Sequence, residues 1–446
     1  MEKEDKRIIT MRDEVPHKAV LKMGLPLVAG MFIMVLYNLV DTFYIGMLPG
    51  DYQMAAVNLG YPVMMIMIAF GNMVGTGASS LIARSLGAGN TDKAEHTLLA
   101  GYQVTLVLSL LIAATGLGLL DSIVRLLGAA AETTAYTKAY VQALFLGDFF
   151  LIGNYSFGQL LRAEGSVKYS VIGMVLGTVA NVVLDPLFIF GLHMGVRGAA
   201  IATVLGNALG VALFLVYYAR RKTLLTFHRY HLRPDPAIIG EIFRVGLPAS
   251  LETLLTSATF VVLNNLAVGY GELTVAAMGI SQKLMSLGSY VYQGFAAGLQ
   301  PLMGFNYGAR NYPRMLRLLK ANILVIGGIE LCVMGIFGLG APLLIGLFTQ
   351  STEVIAIGSK VLRINMWILP FVGAISSCRA TFQSIGKPLY ALGITICRQL
   401  VLFIPLLLLF NRLWGFLGLL CAQPVTECVM MLAATWLLRR YIRALY

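Results

Sequence analysis

From Gly101 to Leu120 the chain carries no charged side chain, and comparable apolar runs recur along its whole length. A run of about twenty apolar residues is long enough to cross a bilayer as a helix. Inside lipid, only helices and closed barrels satisfy their own backbone hydrogen bonds. A barrel would show short strands of alternating polarity, whereas these runs are continuous. Apolar residues make up 58% of the 446 and charged residues 12%, against roughly 25% charged in an average soluble domain. The expected fold class is therefore an all-α polytopic membrane protein of about twelve transmembrane helices.

The spacing predicts spans at roughly 20–44, 54–83, 97–119, 136–161, 169–190, 198–219, 238–269, 275–304, 321–341, 355–383, 391–411 and 414–438. Between the sixth and seventh lies the longest polar stretch, with Arg220-Arg221-Lys222 and Pro234/Pro236, which reads as a linker. The chain thus divides into a lobe over 1–219, a cytoplasmic linker over 220–237, and a second lobe over 238–446. The net charge of +12 does not point to nucleic acid. Most Lys and Arg fall in the termini and the even-numbered loops, so both termini are expected in the cytoplasm of a multi-pass inner-membrane protein from a prokaryote. Residues 1–22 are charged and the first apolar run is long enough to stay, so no signal peptide is expected.

The two lobes repeat one another. Lys22-Met23-Gly24-Leu25-Pro26 returns as Arg244-Val245-Gly246-Leu247-Pro248, and Gly87-Ala88-Gly89-Asn90 as Gly308-Ala309-Arg310-Asn311. Gly165 matches Gly386, and Gly195-Val196-Arg197-Gly198 matches Gly415-Phe416-Leu417-Gly418. The spacing is nearly constant at about half the chain. Six spans per copy give both copies the same orientation, related by an axis along the membrane normal.

Ionisable residues inside the spans cost several kcal/mol unless paired or hydrated, which makes them functional candidates. They include Asp41, Asp148, Asp185, Glu252, Glu330, Glu427, Lys283 and Arg398. The acid excess favours a cationic ligand. Asn38 and Asp41 share a helical face with Tyr37 one turn before Asp41, and Asn181 and Asp185 are spaced i, i+4. Pro186 follows Asp185 and frees an upstream carbonyl. With Thr203, these groups supply hard oxygen ligands for Na⁺, or carboxyl groups for a proton. Their repeat counterparts near 263 and 406 are leucines, so coupling is expected in the first lobe alone. Lys283 and Arg398 are expected to pair with Glu252, Glu330 or Glu427 as structural ion pairs. Asp148 lies two turns before Asn154 and is a further cavity candidate, as is Glu252 one turn past Pro248.

Several other chemistries find no support. Gly87-Ala88-Gly89-Asn90 is too short for a phosphate loop, and no GxxxxGK[ST] occurs. The five cysteines (Cys332, Cys378, Cys397, Cys421 and Cys428) lack metal-ligand spacing and read as packing residues. Methionines such as Met31, Met34 and Met174 suit an adaptable surface but read mainly as packing. No enzyme activity and no cofactor are expected. Energy would come from an ion gradient or a partner.

Taken in order, Gly24-Leu25-Pro26, Asn38/Asp41, Arg84 through Asn90, Leu161-Arg162-Ala163-Glu164-Gly165, Asn181/Asp185-Pro186 and Gly195 through Ala200 resemble the multidrug and toxic compound extrusion (MATE) transporters. The resemblance covers essentially the whole chain. It implies two six-helix lobes, alternating access, and export of cationic or amphipathic organic compounds in exchange for H⁺ or Na⁺. It carries the cation site onto Asp41, Asn181, Asp185 and Thr203, with Asp41 and Asp185 as Na⁺ ligands if Na⁺ is the ion. Tyr37, Asn38, Asn154 and Glu252 would line the substrate cavity, and Pro26 matches the proline at which the first helix bends. The DNA-damage-inducible-type branch is the nearer one, because Pro370 through Ile375 holds no carboxylate where another branch has one. The partners expected are small organic cations or amphipathic drugs and the lipid bilayer, with no nucleic acid and a monomeric protein. A flippase for lipid-linked precursors is the alternative, and it would need a cationic cavity. A major-facilitator carrier would show Asp-Arg-x-Gly-Arg between spans two and three, which is absent.

Overall fold

A computed structural model describes residues 5–48, 51–225 and 233–445, and no strand occurs among them. The chain clusters into two compact units, Ala29–Ser250 and Met1–Val28 with Leu251–Tyr446. The divisions fall inside two long helices, α2 (Pro16–Gly46) and α10 (Pro236–Val268). A short α1 (Lys6–Arg12) precedes them. The first half continues with α3 (Asp51–Gly87), α4 (Thr91–Gly118), α5 (Leu120–Leu126), α6 (Ala131–Leu146), α7 (Asp148–Ala163), α8 (Val167–Pro186) and α9 (Gly195–Ala219). The second half has α11 (Glu272–Gly308), α12 (Tyr312–Leu339), α13 (Ala341–Gly346), α14 (Thr352–Met366), α15 (Leu369–Ser384), α16 (Pro388–Ile396) and α17 (Ile404–Arg443).

Every expected span falls on helical structure, either one helix or consecutive helical segments. Among the described residues, seven helices are individually long and apolar enough to cross a membrane, and α14 with α15 form an eighth span bent by 43°. Pro370 in the first turn of α15 removes a backbone donor at that bend. α6 and α7 are 16 residues each and together cover the fourth expected span. α17 takes in the end of the eleventh expected span and the whole of the twelfth, and turns at Gly415, where φ 58 and ψ −135 are accessible only to glycine without strain. The lipid-facing character of the runs shows on α4, where Leu106, Val107, Leu110 and Leu111 are all exposed.

The sequence repeat is also a repeat of backbone conformation. α3 and α11 are both 37 residues long, and α4 and α12 both 28. Between them stand Gly89 (φ 73) and, in the copy, Arg310 (φ 55). Holding Arg310 in the left-handed region costs roughly 1–2 kcal/mol, so the turn shape is imposed by the helices around it. The next residue caps the following helix in both copies. The Asn90 side chain accepts from the Lys93 N–H at 2.9 Å, and Asn311 from the Arg314 N–H at 3.2 Å. Gly165 and Gly386 are likewise left-handed.

The helices of the first half that carry the polar residues meet through glycine. A Cβ on Gly206 of α9 would stand 2.6 Å from the Gly177 carbonyl oxygen of α8 and 3.0 Å from the Asn181 Cβ. Only two bare backbones allow this approach. Gly206→Ala is therefore expected to push α8 from α9 at a cost of about 1–3 kcal/mol, read as a lowered melting temperature in detergent. A variant melting like the parent would refute this packing.

Candidate cation-binding site

Three helices of the unit Ala29–Ser250 converge on one group of oxygens. α8 carries Asn181 and Asp185 on one face, 3% and 0% exposed. α9 carries Thr203, whose hydroxyl donates to the Ala199 carbonyl one turn back at 3.0 Å. α2 contributes Asp41, whose carboxyl comes within interaction range of that of Asp185. Tyr37, one turn before Asp41, interacts through its hydroxyl with Thr203. The Asn181 amide donates to Asp185 Oδ1 and to Thr203 Oγ1, each at a long 3.4 Å.

A polar chain extends from this group. Asn207 of α9 donates to the Thr203 carbonyl at 2.8 Å, and Asn154 of α7 donates to Asn207 Oδ1 at 2.7 Å. Asn154, expected to line the substrate cavity, is thus connected to the group through Asn207, which sequence reading missed. The signal was available: Asn207 lies one turn beyond Thr203 on the same face of α9. Tyr140 of α6, also missed, stands close enough to feel both aspartates.

Two oxygens of the group, Asn181 Oδ1 and Asp185 Oδ2, are buried without a hydrogen-bond partner among the described residues. Buried polar atoms are satisfied in the great majority of cases. Unmade acceptors beside two carboxyl groups fit a proton or a small cation. They do not fit an anion, which the carboxylates would repel. Among the described residues no three or more His, Cys, Asp or Glu gather to hold a metal ion.

α8 ends at Pro186, directly after Asp185, and the chain passes into a π-turn over Leu187–Gly191. The proline cannot donate to an upstream carbonyl, and π-turns often mark functional positions. In the second half the equivalent positions are apolar. Leu263 and Leu406 pack into a cluster with Ala267, Phe403, Leu407, Leu419 and Leu420. The oxygen-rich group belongs to one copy of the repeat.

The other candidates lie elsewhere. The Asn38 side chain lies outside the described residues. Pro26 sits within α2, which runs through it as one helix. Asp148 is buried at the first turn of α7, with Oδ2 unpartnered among the described residues, and is not brought into the group. Glu252 of α10 falls in the other unit, where Arg379 approaches its carboxylate at 3.3 Å and the Gln383 amide donates to it at 3.3 Å. Arg379 of α15 lies among small residues near the end of its span, and no spacing in the sequence pairs it with Glu252. Arg398 and Glu427 form the expected structural ion pair at 2.6 Å. Lys283 is exposed and Glu330 has no ionic partner among the described residues, so pairing between those two is not found.

The MatE family model matches the chain twice, over residues 26–187 and again over 248–409, one copy per repeat. The chain is 30% identical over 433 residues to "Multidrug export protein MepA" of Staphylococcus haemolyticus (strain JCSC1435), covering 97% of this chain and 95% of that protein. To the protein of the same name from Staphylococcus aureus (strain MSSA476) it is 31% identical over 418 residues, covering 94% and 92%. A solved structure described as the outward-facing conformation of a multidrug resistance MATE family transporter of the MOP superfamily superposes with a TM-score of 0.94 at 31% identity, covering 100% of this chain and 99% of that one. The chain belongs to the MatE family, the multidrug and toxic compound extrusion transporters.

Proposed function

We propose that this chain is a secondary antiporter that exports cationic or amphipathic organic compounds in exchange for H⁺ or Na⁺, with Asp41 and Asp185 as its coupling groups. The observation that carries the reading is the meeting of two carboxyl groups from α2 and α8 beside two unpartnered buried oxygens. Two carboxyl groups so close share a proton or hold a cation between them. Asn181, Thr203 and Tyr37 supply further oxygens to the same point. A coupling ion entering there neutralises the charge that would hold an organic cation, so ion and substrate exclude one another. Coupling of this kind is reciprocal, and typical values are about 1–3 kcal/mol. The related multidrug export proteins support the choice of substrate class.

The first lobe, 1–219, would then be the coupling lobe, and the second, 238–446, its wall, joined by the linker over 220–237. Pro26 would give α2 a place to bend, because its ring leaves one helical hydrogen bond unmade. Glu252 already holds Arg379 and Gln383, which makes it a cavity wall more than an ion ligand. Positive-inside loops support cytoplasmic termini in an inner membrane. The buried apolar side chains of Val372, Ala374 and Ile375 support the DNA-damage-inducible-type branch. The flippase reading calls for unneutralised cations, whereas Arg379 and Arg398 each face a glutamate.

The test is efflux of a cationic dye from vesicles holding the full chain, with a pH gradient and a Na⁺ gradient imposed separately. Efflux driven by one gradient and stopped by its collapse is the expected result. Efflux indifferent to both would overturn the proposal.

A further inference from the structure

Glu330 of α12 is the one intramembrane acid of the second half to which neither the family comparison nor the ion pairs give a role. It is fully buried, and neither carboxyl oxygen has a hydrogen-bond partner among the described residues. The Tyr292 backbone lies beside the carboxyl. The carboxyl lies against α11 where that helix is bare: a Cβ on Gly288 would stand 3.5 Å from Oε2 and 2.6 Å from the Leu369 side chain. Leu369 belongs to an apolar cluster with Leu284, Leu362 and Met366.

The surrounding charges are committed elsewhere. Arg398 is held by Glu427 and Arg379 faces Glu252. On α14, Arg363 donates to the Gly338 carbonyl and Lys360 is exposed, as is Lys283 on α11. From α11, Tyr292 meets Glu330 through its backbone, and its phenol has Arg398, Arg379 and Glu427 around it. In the first half the equivalent residue is Ser109, whose hydroxyl is satisfied by its own helix at the Thr105 carbonyl, 2.7 Å away. The shared architecture therefore does not require an acid here.

An ionised carboxylate in such surroundings costs several kcal/mol, and a neutral one still leaves its donor and acceptor unmade. Neither form is held by the protein, and a hydrogen-bonded or apolar side chain would stabilise the site better than either. What a lone buried carboxyl can do is carry a proton. We propose that Glu330 is a second proton-binding site, separate from Asp41 and Asp185, that takes up and releases a proton during transport. Its link to transport rests on the antiporter reading, whereas its protonation can be measured without it.

The experiment uses the full chain in detergent, in an Asp41→Asn/Asp185→Asn background that silences the first site. A hydrophobic carbodiimide, which takes the proton of a carboxyl group in apolar surroundings on nitrogen and adds its oxygen at carbon, is applied across a pH series, and the adduct at Glu330 is read by peptide mass. Infrared spectra follow the protonated carboxyl band in parallel, with Glu330→Gln identifying it. The expected result is labelling that falls more than tenfold from acid to alkaline pH, together with a band that titrates and is missing in Glu330→Gln. In the native-aspartate chain, ethidium should shift the pH of half-labelling. A band present unchanged at every pH, or absent at every pH, would refute proton binding. A titrating Glu330 that ethidium leaves unmoved would refute its part in the cycle. Failure of dye efflux alone would touch only the antiporter reading.

Discussion

Replacing Asp185 by Asn is expected to abolish dye export while leaving the protein folded. Asn is nearly isosteric with Asp, and at this position it keeps an oxygen to accept from the Asn181 amide, now at 3.4 Å. What it loses is the charge that attracts a coupling ion or a cationic substrate. Asp41→Asn should act in the same direction, because the two carboxyls lie within interaction range of one another. Since the two act as one unit, the double variant should be scarcely worse than either single one, a non-additivity typical of residues that function together. Export rates in vesicles should fall at least tenfold in each single variant, with melting temperatures close to that of the parent. Single variants that export as well as the parent would remove this group from the coupling step. Thr203→Val is a milder perturbation. It deletes one ligand oxygen and the Asn181 contact, and should weaken ion affinity before it weakens export.

Much of this site was legible because membrane helices leave little ambiguity. An acid within a long apolar run has to be explained, and i, i+4 spacing told that Asn181 and Asp185 share a face. The repeat was legible for a similar reason: Gly165 and Gly386 mark turns only certain backbones can make, and they recur with left-handed φ in both halves. What sequence could not supply was partner choice between helices distant in the chain. Arg379 looked like one more residue in α15, yet it faces Glu252. Asn207 showed its role only once α9 was placed beside α7, where Asn154 reaches it. Glu330 was grouped with residues expected to form ion pairs. No periodicity could tell that its helix turns it into an apolar cluster while Arg398 turns toward Glu427.

That last pair yields the largest expected effect on stability. Arg398→Leu should destabilise the protein by about 3–5 kcal/mol, because it strands the Glu427 carboxylate without its counter-ion. Glu427 is 2% exposed and accepts from both the Nε and Nη2 of Arg398, at 2.9 and 2.6 Å. The π-turn over Cys397–Phe403 holds Arg398, so its backbone is already irregular and the side chain is aimed by that turn. In the first half the corresponding contact between neighbouring helices is made by Gly177 against Gly206, backbone on backbone. The same architecture is thus closed by bare glycines in one copy and by a buried ion pair in the other. If the pair serves packing alone, Arg398→Leu/Glu427→Leu should recover most of the loss, since apolar replacements of a whole buried pair are commonly neutral or stabilising. Thermal unfolding of the three variants in detergent decides it. A single variant as stable as the parent would mean that water already reaches Glu427. A double variant as weak as the single would mean that Arg398 supports more than Glu427, with Tyr292, which feels both Arg398 and Arg379, the first residue to examine.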